Sequence, residues 1–154
     1  MRILVTGGHG FIGTTLLPRL QAEGHKVEAP RRGRDGFPQD IADIDQWLNW
    51  PADIDAVIHM AAMNPERGAA AARDDAALMR SNASATRAIA ARAAREGSGR
   101  FMYLSTALVH ASGPEPVTEE SALAPQNAYA SSKLAGEEAV RRTLESSVTQ
   151  WTIL

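Results

Sequence analysis

Tyr129 and Lys133 are the two residues of this sequence whose types and spacing best suit acid–base chemistry. Positions i and i+4 share one face of a helix, so the two side chains would be neighbours. The pKa of a tyrosine hydroxyl is about 10, but a nearby ammonium group favours the phenolate and lowers that pKa. The pair therefore predicts a general acid/base, and the alternative is a surface tyrosine beside a solvated lysine. The chain has 14 arginines and 2 lysines, which favours a need for an ammonium group at position 133.

A glycine-rich turn follows the first apolar run of the chain. The segment 6–13 is TGGHGFIG, in which Gly8, Gly10 and Gly13 match G-x-G-x-x-G, and Gly7, Gly10 and Gly13 match G-x-x-G-x-x-G. Glycines allow a tight turn and let the backbone approach a pyrophosphate, and the start of a helix supplies amide donors. Its place between a strand and a helix favours dinucleotide binding over a ligand-free turn.

The elements that would position these groups alternate along the chain. We expect strands at residues 2–6, 26–29, 56–60, 101–105 and 151–154, and helices at residues 11–23, 43–50, 74–96 and 127–145. Strands separated by helices predict βαβ units and a doubly wound parallel sheet of class α/β, in one domain over residues 1–154. Because the last strand stops at Leu154 without a turn or polar tail, we expect the domain to be truncated there.

Composition excludes several classes of function. The chain has 154 residues, 44% of them hydrophobic and 22% charged, as in a packed soluble domain. A net charge of −2 disfavours nucleic acid and anionic lipid as partners, and the absence of cysteine excludes disulfides and thiolate metal sites. No apolar stretch is long enough for a membrane span, so we expect a cytoplasmic protein.

The four histidines do not have the spacing of metal ligands. They are His9, His25, His59 and His110, and we predict no metal site. His9 lies in the glycine turn, where it is either a phosphate contact or a surface residue.

Six short motifs follow one another along the chain. They are TGGHGFIG at 6–13, DIAD at 40–43, HMAA at 59–62, NASAT at 82–86, STALV at 105–109 and YASSK at 129–133. In this order they resemble the extended short-chain dehydrogenase/reductase family, also called the NAD-dependent epimerase/dehydratase family. The resemblance implies a Rossmann-type fold whose C-terminal, substrate-binding part would come after residue 154.

The resemblance also implies roles for individual residues. Tyr129 would be the general acid/base, Lys133 would tune it and hold the nicotinamide ribose, and Thr106 would hydrogen-bond the reacting oxygen, with Ser105 a second candidate. His59 would pack near the cofactor, and the DIAD segment would contact its adenine. The residues expected to bind the cofactor are Gly7, Gly10, Phe11, Ile12, Gly13, Arg31, Arg32, Asp40, Ile41, Ala61, Ala62, Asn82, Tyr129 and Lys133.

The choice between NAD and NADP depends on the end of the second strand. NAD-binding members carry an acidic residue there for the ribose 2′-hydroxyl, whereas this position is Arg31, followed by Arg32. An arginine could pair with a 2′-phosphate, so we expect NADP to be preferred to NAD. Glu28 could restore NAD binding if the register shifts, and a solvated basic loop is the remaining alternative.

The resemblance implies an NAD(P)-dependent epimerase or reductase that acts on a nucleotide-sugar-like substrate. Ala107 and Leu108 stand where dehydratases carry an Asp-Glu pair, which argues against 4,6-dehydration, and His110-Ala111 replaces a Tyr-Gly pair near the substrate. The alternatives are a reductase of a non-sugar carbonyl and a cofactor-binding module without turnover.

The long helix predicted at 74–96 also bears on partners. Arg73, Arg80 and Arg87 recur every seven residues and form a basic stripe, which we interpret as a solvated face. The opposite, alanine-rich face suits close helix packing. The family resemblance implies a homodimer through this helix and the helix that carries Tyr129.

Overall fold

Five parallel strands form one sheet in the order β2-β1-β3-β4-β5. The computed structural model describes residues 1–65, 69–113 and 116–154. The strands are β1 (Arg2–Thr6), β2 (Lys26–Glu28), β3 (Ala56–His59), β4 (Arg100–Tyr103) and β5 (Gln150–Ile153). Each predicted strand is present within one or two residues of its expected bounds, and the doubly wound α/β sheet is confirmed.

The helices follow the strands as expected, with two differences. They are α1 (Gly13–Ala22), α2 (Asp75–Met79), α3 (Ala85–Arg95) and α4 (Ala128–Leu144). The predicted helix at 74–96 is interrupted by a π-helical turn over Arg80–Ser84, which joins α2 to α3. Such turns insert an extra residue into a helix and are frequent at functional sites.

The helix predicted at 43–50 is wrong. A 3₁₀ turn covers Ile41–Gln46 instead, and its backbone is non-helical at Asp43. The Asp40 side chain accepts a hydrogen bond from the Ala42 amide at 2.8 Å and so starts the turn. An Asp side chain that bonds a nearby amide favours turns over regular helix, and Pro51 prevents extension at the other end.

The core lies on both faces of the sheet because strand residues alternate in direction. On the face that carries α1, Ile3, Val5 and Ala56 pack together. On the other face a larger cluster includes Leu4, Val57, Phe101 and Tyr103, together with residues from the 3₁₀ turn, α3 and α4. The alanine-rich face of α3 is part of this core, where Ala85, Ala90 and Ala93 are buried.

The order of the strands creates a crevice at one edge of the sheet. From β1 the chain crosses to β2 on one side, whereas from β3 it continues to β4 and β5 on the other side. Loops at the carboxyl ends of β1 and β3 therefore diverge, and in open α/β sheets this reversal is where ligands bind. The glycine turn after Thr6 and the segment after His59 border this crevice.

Candidate functional site

A cleft at the carboxyl ends of β1 and β3 brings the glycine turn together with the predicted cofactor residues. One part has a volume of about 530 Å³. It is lined by Gly7, Gly8, His9, Gly10, Pro30, Arg31, Arg32, Arg34, Phe37, Ile41, Met60, Ala61 and Ala62. The described lining of this part contains three arginines and no carboxylate. Its charge and its bare backbone suit a phosphate-bearing ligand.

Close backbone packing accounts for the glycines of the turn. Gly7 has a φ of +74°, and a Cβ there would lie 2.6 Å from the Ala61 nitrogen. At Gly13 a Cβ would overlap the carbonyl of Gly8. Among the described residues, none caps the start of α1 with its side chain. The Thr14 and Leu16 amides already donate to the Gly10 and Ile12 carbonyl oxygens at 3.0 Å. The amides that a ligand at the positive end of the helix dipole would meet are therefore those before Thr14.

A second part of the cleft, about 320 Å³ in volume, contains the predicted catalytic group. The glycine turn and the segment after β4 both border it, and α4 presents Tyr129 and Lys133 to it. Its lining is Gly7, Gly10, Phe11, Ile12, Gly13, Met60, Ala62, Asn64, Leu104, Ser105, Thr106, Tyr129 and Lys133. Residues that are up to 126 positions apart in the sequence thus line a single space.

Hydrogen bonds hold this group in place. Asn127 starts α4 by accepting from the Ala130 amide at 2.8 Å. Lys133 Nζ donates to the Leu104 carbonyl at 2.6 Å, which ties α4 to the end of β4. Thr106 Oγ1 accepts from the Leu108 amide at 3.3 Å, so its own proton is free to be donated.

Burial sets the electrostatics of the pair in a way the sequence did not predict. Burial lowers the pKa of Lys133 to about 8. Burial raises the pKa of the half-buried Tyr129 above its usual value, whereas the spacing had predicted a lowered one. Without a bound ligand, Tyr129 is therefore protonated at neutral pH, and Lys133 retains its charge.

The side of the cleft beyond the end of β2 is basic. Arg31, Arg32 and Arg34 all line it. Glu28, the residue that could have restored an acidic partner, is paired with Arg2 at 2.8 Å. That ion pair joins β1 to β2 and leaves the arginines to set the charge of the cleft.

The adenine side of the cleft, as the family resemblance places it, is braced by an ion pair. Asp40 and Ile41 line an adjoining hollow of about 230 Å³. Arg80 Nε lies 2.5 Å from Asp40 Oδ2, and Arg80 Nη2 lies 3.1 Å from Asp43 Oδ2. Arg80 is exposed, as expected for a solvated stripe, but its guanidinium group is also bound to two carboxylates. Arg87 is exposed, and the Arg73 side chain lies outside the described part of the chain.

Two buried polar residues face the interior rather than the cleft. Asn82 is 1% exposed, accepts from the Met63 amide at 2.7 Å, and donates to the Met63 carbonyl and to Ser132 Oγ. It positions the segment after β3, and whether it also binds the cofactor stays a prediction. His59 is fully buried, and its ring nitrogens lie 2.5 Å from Thr6 Oγ1 and 3.1 Å from Thr86 Oγ1. It therefore packs against Thr6, next to the glycine turn that borders the cleft.

Sequence reasoning missed two residues of the site. Asn64 lines the second part of the cleft, and its place after the HMAA motif was the available signal. Glu137 is 5% exposed and accepts a hydrogen bond from Ser105 Oγ at 2.5 Å. Ser105 and Glu137 are 32 positions apart, so no sequence pattern pairs them.

The remaining histidines are dispersed. His9 Nε2 lies 2.9 Å from the Ala29 carbonyl oxygen, and His110 Nδ1 lies 3.0 Å from that of Ser121. Within residues 1–65, 69–113 and 116–154, no three His, Asp or Glu side chains are grouped as metal ligands would be. In the same residues, none of the helices is both long and apolar enough to span a bilayer.

Comparison with known proteins finds relatives along almost the whole chain. The sequence profile of the NAD dependent epimerase/dehydratase family matches residues 3–154. A dTDP-glucose 4,6-dehydratase from Streptomyces niveus is 35% identical over 89% of this chain and 47% of its own length. A dTDP-4-dehydrorhamnose reductase from Burkholderia thailandensis is 37% identical over 93% of this chain and 46% of its own length.

A solved structure gives the same result. A short-chain dehydrogenase/reductase superfamily protein from Agrobacterium tumefaciens, crystallised with bound NAD, superposes with a TM-score of 0.83 at 28% identity. The match covers 99% of this chain and 48% of that protein. The chain thus spans about half the length of the relatives it matches. The ordered motifs, the fold and the profile agree, and this chain belongs to the NAD dependent epimerase/dehydratase family.

Proposed function

We propose that this chain carries the cofactor site and the acid/base group of an NAD(P)-dependent enzyme that epimerises or reduces a nucleotide-sugar-like substrate. The observation that carries the proposal is the shared lining of the catalytic part of the cleft. There the glycine turn faces Thr106, Tyr129 and Lys133 across a space of about 320 Å³. The substrate class is supported by the relatives, which include a dTDP-glucose dehydratase and a dTDP-4-dehydrorhamnose reductase.

The cleft fits a dinucleotide. The glycine turn leaves no room for side chains where the backbone of Gly7 meets that of Ala61, so the floor of the cleft is bare backbone. The diphosphate would lie at the start of α1, and the adenosine would lie toward Ile41 and Asp40. When bound, the nicotinamide accepts or donates the hydride.

The side chains of this protein would move the proton and orient the substrate. In the direction of reduction, the protonated Tyr129 donates its proton to the carbonyl oxygen of the substrate. Thr106 donates a hydrogen bond to the same oxygen. Lys133 has two protons beyond the one bound to Leu104, which allows it to hold a ribose hydroxyl and to stabilise the tyrosinate that forms.

A wider hollow beside the catalytic residues is the proposed route for the substrate. It has a volume of about 630 Å³ and shares Ser105 and Thr106 with the cleft. His110, Leu123 and Leu154 also line it. Because Thr106 belongs to both spaces, a carbinol carbon that enters from this hollow would reach the hydroxyl of Tyr129.

NADP is the cofactor that we propose to be preferred. Three arginines line the cleft beyond β2, and Glu28 is held by Arg2. A guanidinium group can bind a 2′-phosphate through two hydrogen bonds, whereas a ribose diol needs an acceptor. The relative from Agrobacterium tumefaciens was crystallised with NAD, so this preference would distinguish the chain from that protein.

We also propose a homodimer formed through α3 and α4. The family resemblance implies this arrangement, but the alanine face of α3 is already buried in the core of the chain. The partner would therefore meet the exposed side, where Arg87, Glu138 and Arg142 lie.

The Tyr129→Phe variant tests the proposed function by two measurements. The affinity of the chain for NADP and for NAD is measured by calorimetry, with and without the substitution. Turnover of nucleotide-sugar substrates is measured in the complete enzyme, again with and without it. Because the phenyl ring lacks the proton that is transferred, turnover should fall by roughly 10²- to 10⁴-fold, while dinucleotide affinity stays unchanged. NADP should bind more tightly than NAD.

The matched control is Ser131→Ala, which changes an exposed residue on the same helix and should leave both turnover and binding unchanged. Full activity of Tyr129→Phe would exclude the acid/base role. Tighter binding of NAD would exclude the cofactor preference alone, and no binding of either dinucleotide would exclude the function.

A further inference from the structure

Glu137 is a buried carboxylate beside the catalytic residues for which the proposed reaction has no step. It lies one helical turn after Lys133 on α4 and is 5% exposed. It accepts hydrogen bonds from Ser105 Oγ at 2.5 Å and from Arg141 Nη2 at 3.0 Å. A buried carboxylate is costly unless it is hydrogen-bonded and paired, and here both conditions are met.

Through Ser105, Glu137 holds the segment that carries Thr106. Ser105 follows the end of β4 by two residues and directly precedes Thr106. Lys133 binds the carbonyl of Leu104 in the same segment at 2.6 Å. Two consecutive residues after β4 are thus attached to two side chains one turn apart on α4. These attachments fix the position of Thr106 relative to the helix that carries Tyr129.

The surroundings of the Lys133 ammonium group contain one negative charge among the described residues. Tyr129 and Glu137 lie on the same helix, the ring of Tyr103 lies 4.1 Å from Nζ, and His59 belongs to β3. The tyrosines are neutral at pH 7, and burial keeps His59 neutral with a pKa of about 3. Burial lowers the pKa of Lys133, and the charge of Glu137 opposes that effect.

We propose that Glu137 is a positioning residue of the active site, which fixes the segment after β4 against α4 through Ser105 and provides the counter-charge for the Lys133 ammonium group. The proposal rests on the proposed function only for the roles of Thr106 and Lys133. The contacts and charges themselves do not depend on it.

The chain offers an unusually direct measurement, because Lys26 and Lys133 are its only lysines. Lysine labelled with ¹³C gives two side-chain signals, and the exposed Lys26 serves as the internal reference. A pH titration by NMR should give Lys133 a pKa of about 8. In Glu137→Gln, which removes the charge and keeps an acceptor for Ser105, this pKa should fall by about one unit.

Neighbouring residues provide matched controls. Glu138 has an arginine four residues later, as Glu137 does, but its side chain is 56% exposed instead of 7%. Glu138→Gln should therefore leave the Lys133 titration unchanged. Arg141→Gln should raise the pKa of Lys133 by a few tenths of a unit, because it removes the cation that partly neutralises Glu137, and Arg142→Gln should not.

Each outcome decides the proposal. An unchanged Lys133 titration in Glu137→Gln, or an equal change in Glu138→Gln, would overturn it. If Glu137→Gln does not fold, Arg141→Gln becomes the test. The proposal is then overturned if the pKa of Lys133 does not rise in that variant. These results require no dinucleotide and no turnover, so a failed cofactor titration would refute the proposed function and leave this inference standing.

Discussion

His59 makes the stability of the fold depend on pH, because its side chain is buried in the uncharged form. Burial, aided by the charge of Lys133, lowers its pKa from 6.5 to about 3. In the unfolded chain the imidazole binds a proton below pH 6.5, whereas in the folded chain it stays neutral down to about pH 3. Between these values the unfolded state binds more protons, so stability is lost as the pH falls.

The expected loss of unfolding free energy from this one residue is up to about 1.4 kcal/mol per pH unit between pH 6 and pH 4.5. His59→Gln should remove that part of the slope, measured by urea unfolding followed by tryptophan fluorescence. His9→Gln, which changes an exposed histidine, should keep the wild-type slope. If the slopes of the wild type and His59→Gln are equal, His59 is not the residue that senses acid.

Motif order predicted which residues meet at the site, but not what their side chains bind. Thr106, Tyr129 and Lys133 share one part of the cleft, as expected from two separate motifs. The inward orientation of Asn82 and the raised pKa of Tyr129 depend on burial, which a motif does not encode.

At the scale of elements, Gly136 determines how closely α4 approaches β4 and the π-helical turn. A Cβ at this position would overlap the Tyr103 hydroxyl and would lie 2.8 Å from the Asn82 carbonyl oxygen. In an exposed helix Gly→Ala stabilises by up to about 1 kcal/mol. Here the overlap should dominate, and Gly136→Ala should destabilise the chain by about 1–3 kcal/mol in urea unfolding.

A double variant tests whether the Tyr103 hydroxyl is the group that a Cβ at position 136 would overlap. Tyr103→Phe removes the hydroxyl, so it should relieve part of the cost of Gly136→Ala when the two are combined. Gly99→Ala is the control, because a Cβ there would meet only the Asp55 carbonyl oxygen at an ordinary 3.5 Å. A Gly136→Ala variant as stable as the wild type would show that α4 can move away from β4.

Helices and strands could be predicted where the local residue pattern determines them, but not where tertiary packing determines them. Apolar runs and glycines located all five strands and α4 to within two residues. The π-helical turn inside the long helix was not predictable, because its residues have ordinary helical composition. There Asn82 bonds Met63 and Ser132, and Gly136 lets α4 pack against the same turn. These partners come from two distant parts of the chain, the segment after β3 and α4.

At the scale of the whole molecule, arginines of the long helix hold the β2–β3 connection in place. Arg80 binds Asp40 and Asp43, and Arg95 binds Asp45, 2.5 Å away. All three carboxylates belong to the 3₁₀ turn or to the residue that starts it. Of these ion pairs, only that of Arg80 with Asp40 lies at the cleft, since both residues line the hollow that adjoins it.

This difference predicts separate effects of two similar substitutions. Arg80→Gln should weaken dinucleotide binding by about two- to fivefold, the range expected when an exposed ion pair that orients Asp40 is lost. Arg95→Gln removes an equally exposed arginine from the same connection and should leave affinity unchanged. Calorimetric titration at low and high salt measures the dinucleotide affinity of both variants. Added salt should reduce the difference in affinity between the wild type and Arg80→Gln. Equal losses in the two variants would mean that the arginines stabilise the connection in general and that Asp40 needs no orientation by Arg80.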